Sequence, residues 1–389
     1  MRYITRTIWV LSLVSLFTDT ASEMLYPVMP LYLTSIGFSV LFIGILEGVA
    51  EAAAGLSKGY FGRWSDQSGR RLPFVQIGYG LSAVSKPLLI AFAWPLWVVS
   101  ARTLDRLGKG IRTGARDALL SGEATPGTKA TVFGFHRAMD TLGAVIGPSL
   151  GLLYLYFHPG DYKPLFLLAV VPGLLAVLAT LLLRERRAAQ TITSNTFLDF
   201  LKYWKKSPGD YRRIVTGFLA FALVNSSDTF LLLNAKQSDM DEVTVIGVYI
   251  FYNLVYAIFS FPLGLLADRI GIKKVYLMGL VFFAMVYAGM GRADSEIEFI
   301  ALFFLYGMYA AASEGVSKAW ITNIADPTDA ATAVGTYAAL QSICALFASI
   351  MTGLLWYLFG PGVALTVSAA VAALVAVFFL LMRTTHPLE

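Results

Sequence analysis

The sequence predicts an all-α membrane protein: a bundle of about twelve transmembrane helices in two pseudo-twofold related sets of six. Three observations carry that reading. Hydrophobic residues make up 57% of the 389-residue chain and charged residues 14%, far below the roughly 25% charge of an ordinary soluble domain. Mean hydropathy is +0.66, and the apolar residues fall in blocks of about 20, enough to cross roughly 30 Å of hydrocarbon. No alternating strand pattern accompanies them, so helices rather than a barrel must satisfy the backbone.

Taken in order, the spans are read at 7–33, 40–63, 73–93, 95–119, 129–156 and 163–184. A polar segment follows, and the second set lies at 212–235, 243–267, 273–292, 297–323, 330–358 and 361–383. The expected domains are an N-terminal six-helix bundle at 1–184, a cytoplasmic linker at 185–211 and a C-terminal six-helix bundle at 212–389. Phe197, Phe200, Leu201 and Trp204 of the linker are expected on the membrane surface, with lysines facing lipid phosphates.

Lysine and arginine placement sets the orientation. Arg2, Arg6, Arg63, Arg70, Arg71, Lys129, Arg184, Arg186, Arg187, Lys202, Lys205, Lys206, Arg212, Arg213, Arg269, Lys273, Lys274 and Arg383 fall on one side. The alternate loops hold Lys163, Lys236 and Arg292 beside Asp161, Asp239, Asp241, Glu242, Asp294 and Glu296. Both termini are therefore expected to be cytoplasmic, in a bacterial inner membrane. The net charge of +5 is a topology signal, and no nucleic-acid partner is expected. No cleavable secretory signal is expected, because the first apolar stretch is too long. The single cysteine, Cys344, excludes an internal disulfide framework and argues against a thiolate metal cluster.

The halves repeat. Gly62-Arg63-Trp64-Ser65-Asp66-Gln67-Ser68-Gly69-Arg70-Arg71 recurs as Gly264-Leu265-Leu266-Ala267-Asp268-Arg269-Ile270-Gly271-Ile272-Lys273. Pro126, Gly134 and His136 likewise have counterparts in Pro327, Gly335 and Tyr337. Paired repeats of this size are how many secondary transporters are built, with substrate bound near mid-membrane between the halves.

These residues resemble the major facilitator superfamily over essentially the whole chain. The first loop looks like the family's G-x-x-x-D-[RK]-x-G-[RK]-[RK] motif, departing from it at Gln67, and the second copy has Ile272 where a basic residue is usual. Gly143, Gly147, Pro148 and Gly151 of the fifth span are similar to the glycine-proline motif of the family's exporters. The resemblance implies a twelve-span transporter, a loop clamp that stabilises an outward-facing state, and antiport. On physical grounds, small residues let helix backbones approach closely, and a carboxylate such as Asp66 gains from a helix N-terminus. Gly62, Asp66, Gly69, Arg70, Arg71, Gly264, Asp268, Arg269 and Gly271 are the switch-loop candidates, with Arg112 and Arg116 at the end of the fourth span.

Ionisable residues within spans are costly, about 3 kcal/mol or more each when they face lipid. Span one carries Asp19 and Glu23, span two Glu47 and Glu51, span four Arg102, Asp105, Arg106 and Lys109, and span five His136, Arg137 and Asp140. Acids on spans one and two are expected to face bases on spans four and five as a paired network, which offsets desolvation. One carboxylate, Asp19 first among them, is the expected proton site; a static ion-pair lattice is the competing reading, with Arg112, Arg116 and Asp117 at the water interface. The second half is different. Asp228 beside Asn225, Glu314 with Lys318 as an i, i+4 pair, and Tyr249, Tyr252, Asn253, Tyr256, Tyr306, Tyr309, Tyr337 and Gln341 are its cavity candidates, with helix packing as the alternative.

The function that follows is proton-coupled export of a small organic solute by a monomer in the lipid bilayer, without a cofactor. Alternatives are transport of a hard metal cation through Asp19, Glu23, Glu47 and Glu51, transport of an anionic metabolite bound by Arg102, Arg106 and Arg137, and a non-transporting receptor or scaffold. An enzyme is not expected: there is no nucleotide-binding loop and no paired-histidine metal motif.

Overall fold

The computed structural model describes residues 3–382 apart from 27, 30–31, 34–35, 38–39, 93, 186–195, 239 and 241; the side chains of 40–52, 242–243 and 246 are also outside the description. No strand occurs among the described residues. The first set of helices is α1 (Arg6–Leu25), α2 (Val40–Ser68), α3 (Leu72–Ala91), α4 (Pro95–Gly122), α5 (Lys129–Phe157) and α6 (Tyr162–Thr180). After a short helix α7 (Lys202–Lys206) come α8 (Gly209–Ala222), α9 (Thr229–Gln237), α10 (Glu242–Ile270), α11 (Ile272–Met290), α12 (Glu296–Ile324), α13 (Ala330–Phe359) and α14 (Pro361–Leu381). Among the described residues nine helices are long and apolar enough to cross a membrane.

Local chemistry explains the ends. Thr5 caps α1 by accepting from the Ile8 amide. Pro73 and Pro95 occupy first-turn positions, where the missing N–H costs nothing. The turns before α2's successor and after α10 close on Gly69 and Gly271, at φ 62° and 107°, a backbone region that L side chains avoid. The outward faces of α6 and α14 carry Leu174, Leu178, Leu374 and Leu381 in exposed positions, as lipid-facing helices require.

The chain forms two compact units. Unit one comprises Met1–Glu123, Met139–Lys206 and Ala325–Ala339; unit two comprises Ala124–Ala138, Ser207–Ile324 and Leu340–Glu389. Helices α5 and α13 thus begin in one unit and continue in the other.

Two expectations need correction. The span read at 212–235 is not one helix but two, α8 and α9, separated at 223–228. The cause is Asn225-Ser226-Ser227-Asp228, short polar side chains that compete with helical backbone bonds. Ser227 does so visibly, its Oγ accepting from the Thr229 amide at 3.3 Å. Phe200 is not on the membrane surface: it is 1% exposed, its ring lies where a Cβ on Gly59 would stand, and its carbonyl accepts from Thr336 Oγ1 at 3.3 Å.

Candidate functional site

A glycine ridge brings α5 against α1. A Cβ added at Gly143 would stand 2.5 Å from the Leu16 carbonyl oxygen, at Gly147 2.6 Å from that of Thr20, and at Gly151 2.9 Å from that of Met24. Only hydrogen fits at these positions, so the two backbones touch. One turn before the ridge on α5 stands Asp140, and Asp19 of α1 lies against the ridge itself, its Cβ 3.0 Å from a Cβ added at Gly143. Ser15 Oγ donates to Asp140 Oδ1, and Arg116 Nη1 donates to Ser15 Oγ at 3.4 Å.

The charged face of α4 packs against α3 and α1. Asp105 lies 3.5 Å from Lys86 Nζ and 3.5 Å from Arg102 Nη1. Lys86, absent from the sequence-level candidates, is 2% exposed; its ammonium also donates to the Ser82 carbonyl at 2.9 Å and to Ser22 Oγ at 3.2 Å. Arg112 sits 4.4 Å over the Tyr79 ring and donates to Ser82 Oγ at 2.7 Å. Arg116 pairs with Asp117 at 2.9 Å. Arg112, Arg116 and Asp117 are 4%, 7% and 0% exposed, so they belong to the buried network and not to the water interface. A cavity of about 20 Å³ lies among Asp19, Glu23, Arg102, Arg106 and Lys109, room for about one water. Glu47 and Glu51 have side chains outside the described residues, and among the described residues no group of three or more metal-ligating side chains occurs.

Unit two holds a different cluster. Both oxygens of Asp228 accept from tyrosines, Oδ2 from Tyr252 at 2.7 Å and Oδ1 from Tyr306 at 2.6 Å. Ring centroids of Tyr249 and Tyr252, Tyr252 and Tyr306, and Tyr306 and Tyr309 are 5.5, 5.3 and 5.4 Å apart. Asn225 Nδ2 donates to the Tyr309 hydroxyl at 3.0 Å, while Asn253 Nδ2 turns back to the Tyr249 carbonyl at 3.0 Å. Tyr256 is buried, and Lys318 and Gln341 are half-buried. Glu314 pairs with Arg137 at 3.0 Å, so Arg137 stands with the second unit's acid instead of the acids of span one.

The repeated loop motifs build matching latches. In unit one, Asp66 Oδ2 accepts from the amide and hydroxyl of Thr332 at 2.7 and 2.9 Å, holding the first turn of α13. Its Oδ1 accepts from Arg71 Nη2 at 2.9 Å, and the same Nη2 reaches the Pro327 carbonyl at 2.8 Å. A Cβ at Gly62 would stand 2.5 Å from the Ala331 carbonyl oxygen. In unit two, Asp268 accepts from the amides of Ala130 and Thr131 at 3.1 and 2.6 Å, holding the first turn of α5. There a Cβ at Gly264 would stand 2.3 Å from the Ala130 carbonyl oxygen. Arg70 and Arg269 are exposed. Burial pushes the Asp66 carboxyl up to about 6, against the lowering pull of Arg71 and Thr332.

The Major Facilitator Superfamily family model matches residues 11–249 and 216–389. The chain belongs to the major facilitator superfamily. It is 33% identical over 362 residues to an uncharacterised MFS-type transporter of Methanocaldococcus jannaschii, covering 91% of this chain and 89% of that protein. A multi-drug resistance efflux pump PmrA homolog of Lactococcus lactis is 25% identical, covering 75% of this chain and 73% of the pump. The human organic anion transporter MFSD10 shares the fold, with a TM-score of 0.79 at 16% identity and coverage of 96% and 99% of the two chains. As a superfamily member the chain is an integral, multi-pass secondary transporter and not an enzyme.

Within this superfamily fold, sequence reasoning missed Lys86. Lys86 had a signal: it is a lone cation in an apolar span, one residue before Pro87, with Asp105 on the next span as its complement.

Proposed function

We propose that this transporter is a proton-coupled antiporter that exports a small organic solute, with both termini cytoplasmic and bundles at 1–184 and 212–389 rocking about the 185–211 segment. The observation that carries the reading is the meeting of two acids, Asp19 of α1 and Asp140 of α5, where the two helices touch at Gly143 and Ser15. In this reading the two acids hold one proton between them, and Asp140 is linked through Ser15 to the Arg116 guanidinium. Loss of that proton leaves two adjacent carboxylates that repel, so uptake and release bias the α1–α5 contact between two arrangements. The contact is backbone to backbone at Gly143 and Gly147, which leaves no soft side chain to absorb the change.

The latches on Asp66 and Asp268 supply the second requirement of alternating access, contacts at helix starts that can form and break. The efflux pump among the relatives supports export as the direction. In proteoliposomes with an imposed pH gradient, solute flux should be driven by the gradient. Asp19→Asn and Asp140→Asn should each lower the gradient-driven rate at least tenfold while leaving passive exchange of solute measurable. Flux indifferent to the gradient, or to both substitutions, overturns the reading.

A further inference from the structure

We infer that the Asp228 cluster is a binding site for the positively charged head of an organic ammonium ion, a protonated tertiary amine or a quaternary ammonium carrying apolar groups. This names a substrate class for the export reading and rests on that reading for the direction of transport, though not for binding.

The argument begins with depth. Tyr252 and Tyr306 stand ten residues inside α10 and α12, counted from Glu242 and Glu296, which is about 15 Å along a helix and about half the hydrocarbon thickness. Asp228 reaches that layer because the seventh span is broken at 223–228. A carboxylate at such depth ordinarily has a counter-ion. In unit one the rule is obeyed: Asp105 has Lys86 and Arg102, and Asp117 has Arg116. Asp228 is bonded to two phenols, and among the described residues no cation lies within ion-pair distance of it.

The hydrogen-bond directions then identify what is missing. Tyr252 and Tyr306 commit their protons to Asp228, and Asn225 commits an N–H to Tyr309. Around Asp228 itself the cluster presents acceptors, the remaining carboxylate lone pairs and the oxygens of Tyr252 and Tyr306, while the Tyr309 O–H and the second Asn225 N–H remain as donors farther out. Around them are the rings of Tyr249, Tyr252, Tyr306 and Tyr309 in mutual contact, whose negative π faces attract a cation. An anion would be repelled by the carboxylate's charge, and a neutral hydrophobe would desolvate that carboxylate without replacing its water. A cation with apolar groups meets both the charge and the rings. Access exists, since Asp228 is half-buried and Ser227 is exposed.

The test uses the full chain in nanodiscs and isothermal titration with benzyltrimethylammonium, with phenylacetate as an anion of similar size. The cation should bind and phenylacetate should not. Asp228→Asn should weaken cation binding at least tenfold, whereas Glu296→Gln, at an exposed acid on the first turn of α12, should leave it within twofold. Tyr252→Phe should bind the cation as tightly or more tightly, because it frees an acceptor of Asp228 while keeping the ring; a merely structural Asp228–Tyr252 tie predicts loss instead. Should Asp228→Asn not yield folded protein, the Tyr252→Phe and Tyr306→Phe titrations decide. Absence of cation binding, equal binding of phenylacetate, unaltered binding in Asp228→Asn, or weakened binding in both phenylalanine variants overturns the inference. Cation binding that persists where no proton-driven flux is found refutes the antiport reading alone.

Discussion

Replacing Asp66 by asparagine isolates the latch on α13 and gives it a pH signature. In the latch the carboxyl is pushed up to about 6 from its ordinary value of 3.8, because burial outweighs Arg71 and Thr332. In a released state, with Asp66 in water, the ordinary value returns. The latched state therefore binds the proton more readily, and acid favours it: the contribution is complete below about 3.8 and is lost as pH rises through about 6. Between pH 7 and pH 5 the shift is about 1.4 kcal/mol, about tenfold in the latched-to-released ratio. Spin labels at Arg70→Cys and Thr328→Cys, in a Cys344→Ser background, would report that ratio as the weight of the short-distance population. The short population should grow from pH 7 to pH 5 in the parent and be pH-independent in Asp66→Asn. A short population that shrinks with acid, or an unchanged pH response in the asparagine variant, refutes the reasoning.

Other substitutions probe the packing. Gly147→Ala places a methyl 2.6 Å from the Thr20 carbonyl oxygen and 2.7 Å from the Met24 nitrogen, so α5 must move away; overpacking of this kind costs about 1–3 kcal/mol. Thermal unfolding should show the loss, and gradient-driven flux should fall with it. Lys86→Met strips Asp105 of one of the cations beside it and should destabilise by about 3 kcal/mol, with Lys86→Met/Asp105→Leu recovering part of it; a single variant as stable as the parent would contradict the pairing. Arg137→Gln removes an ion pair whose side chains are 21% and 41% exposed, and unfolding temperature should change by an amount equivalent to at most about 1 kcal/mol.

The fold was legible because a membrane leaves the chain few choices: apolar blocks of spanning length dictate helices, and the repeated loop motif dictates two halves. The charged network was legible for the same reason, since Arg102, Asp105 and Arg116 are costly in lipid and must find partners. Partner identity was less so. Glu314 and Lys318 have helical spacing, yet Glu314 pairs with Arg137 from 177 positions away, a choice made by tertiary approach and not by local register. The break at 223–228 was written in four consecutive short polar residues, but hydropathy averaged over a span hides it. Phe200 reads as an amphipathic surface residue until the small Gly59 beneath it is known.

The division of α5 and α13 between the two units bears on how the molecule is made. Unit one needs residues 325–339 to be complete, and these are synthesised after helices α8 to α12 of unit two. At a ribosomal pace of about 5–20 residues per second, many seconds separate the arrival of Asp66 from that of its partner Thr332. Throughout that interval the Asp66 carboxylate and the bare surface at Gly62 stand without the helix start they are shaped to hold. The first half of this transporter is thus inserted early and finished late, and a nascent chain stopped before 325 would present a motif loop with nothing to latch.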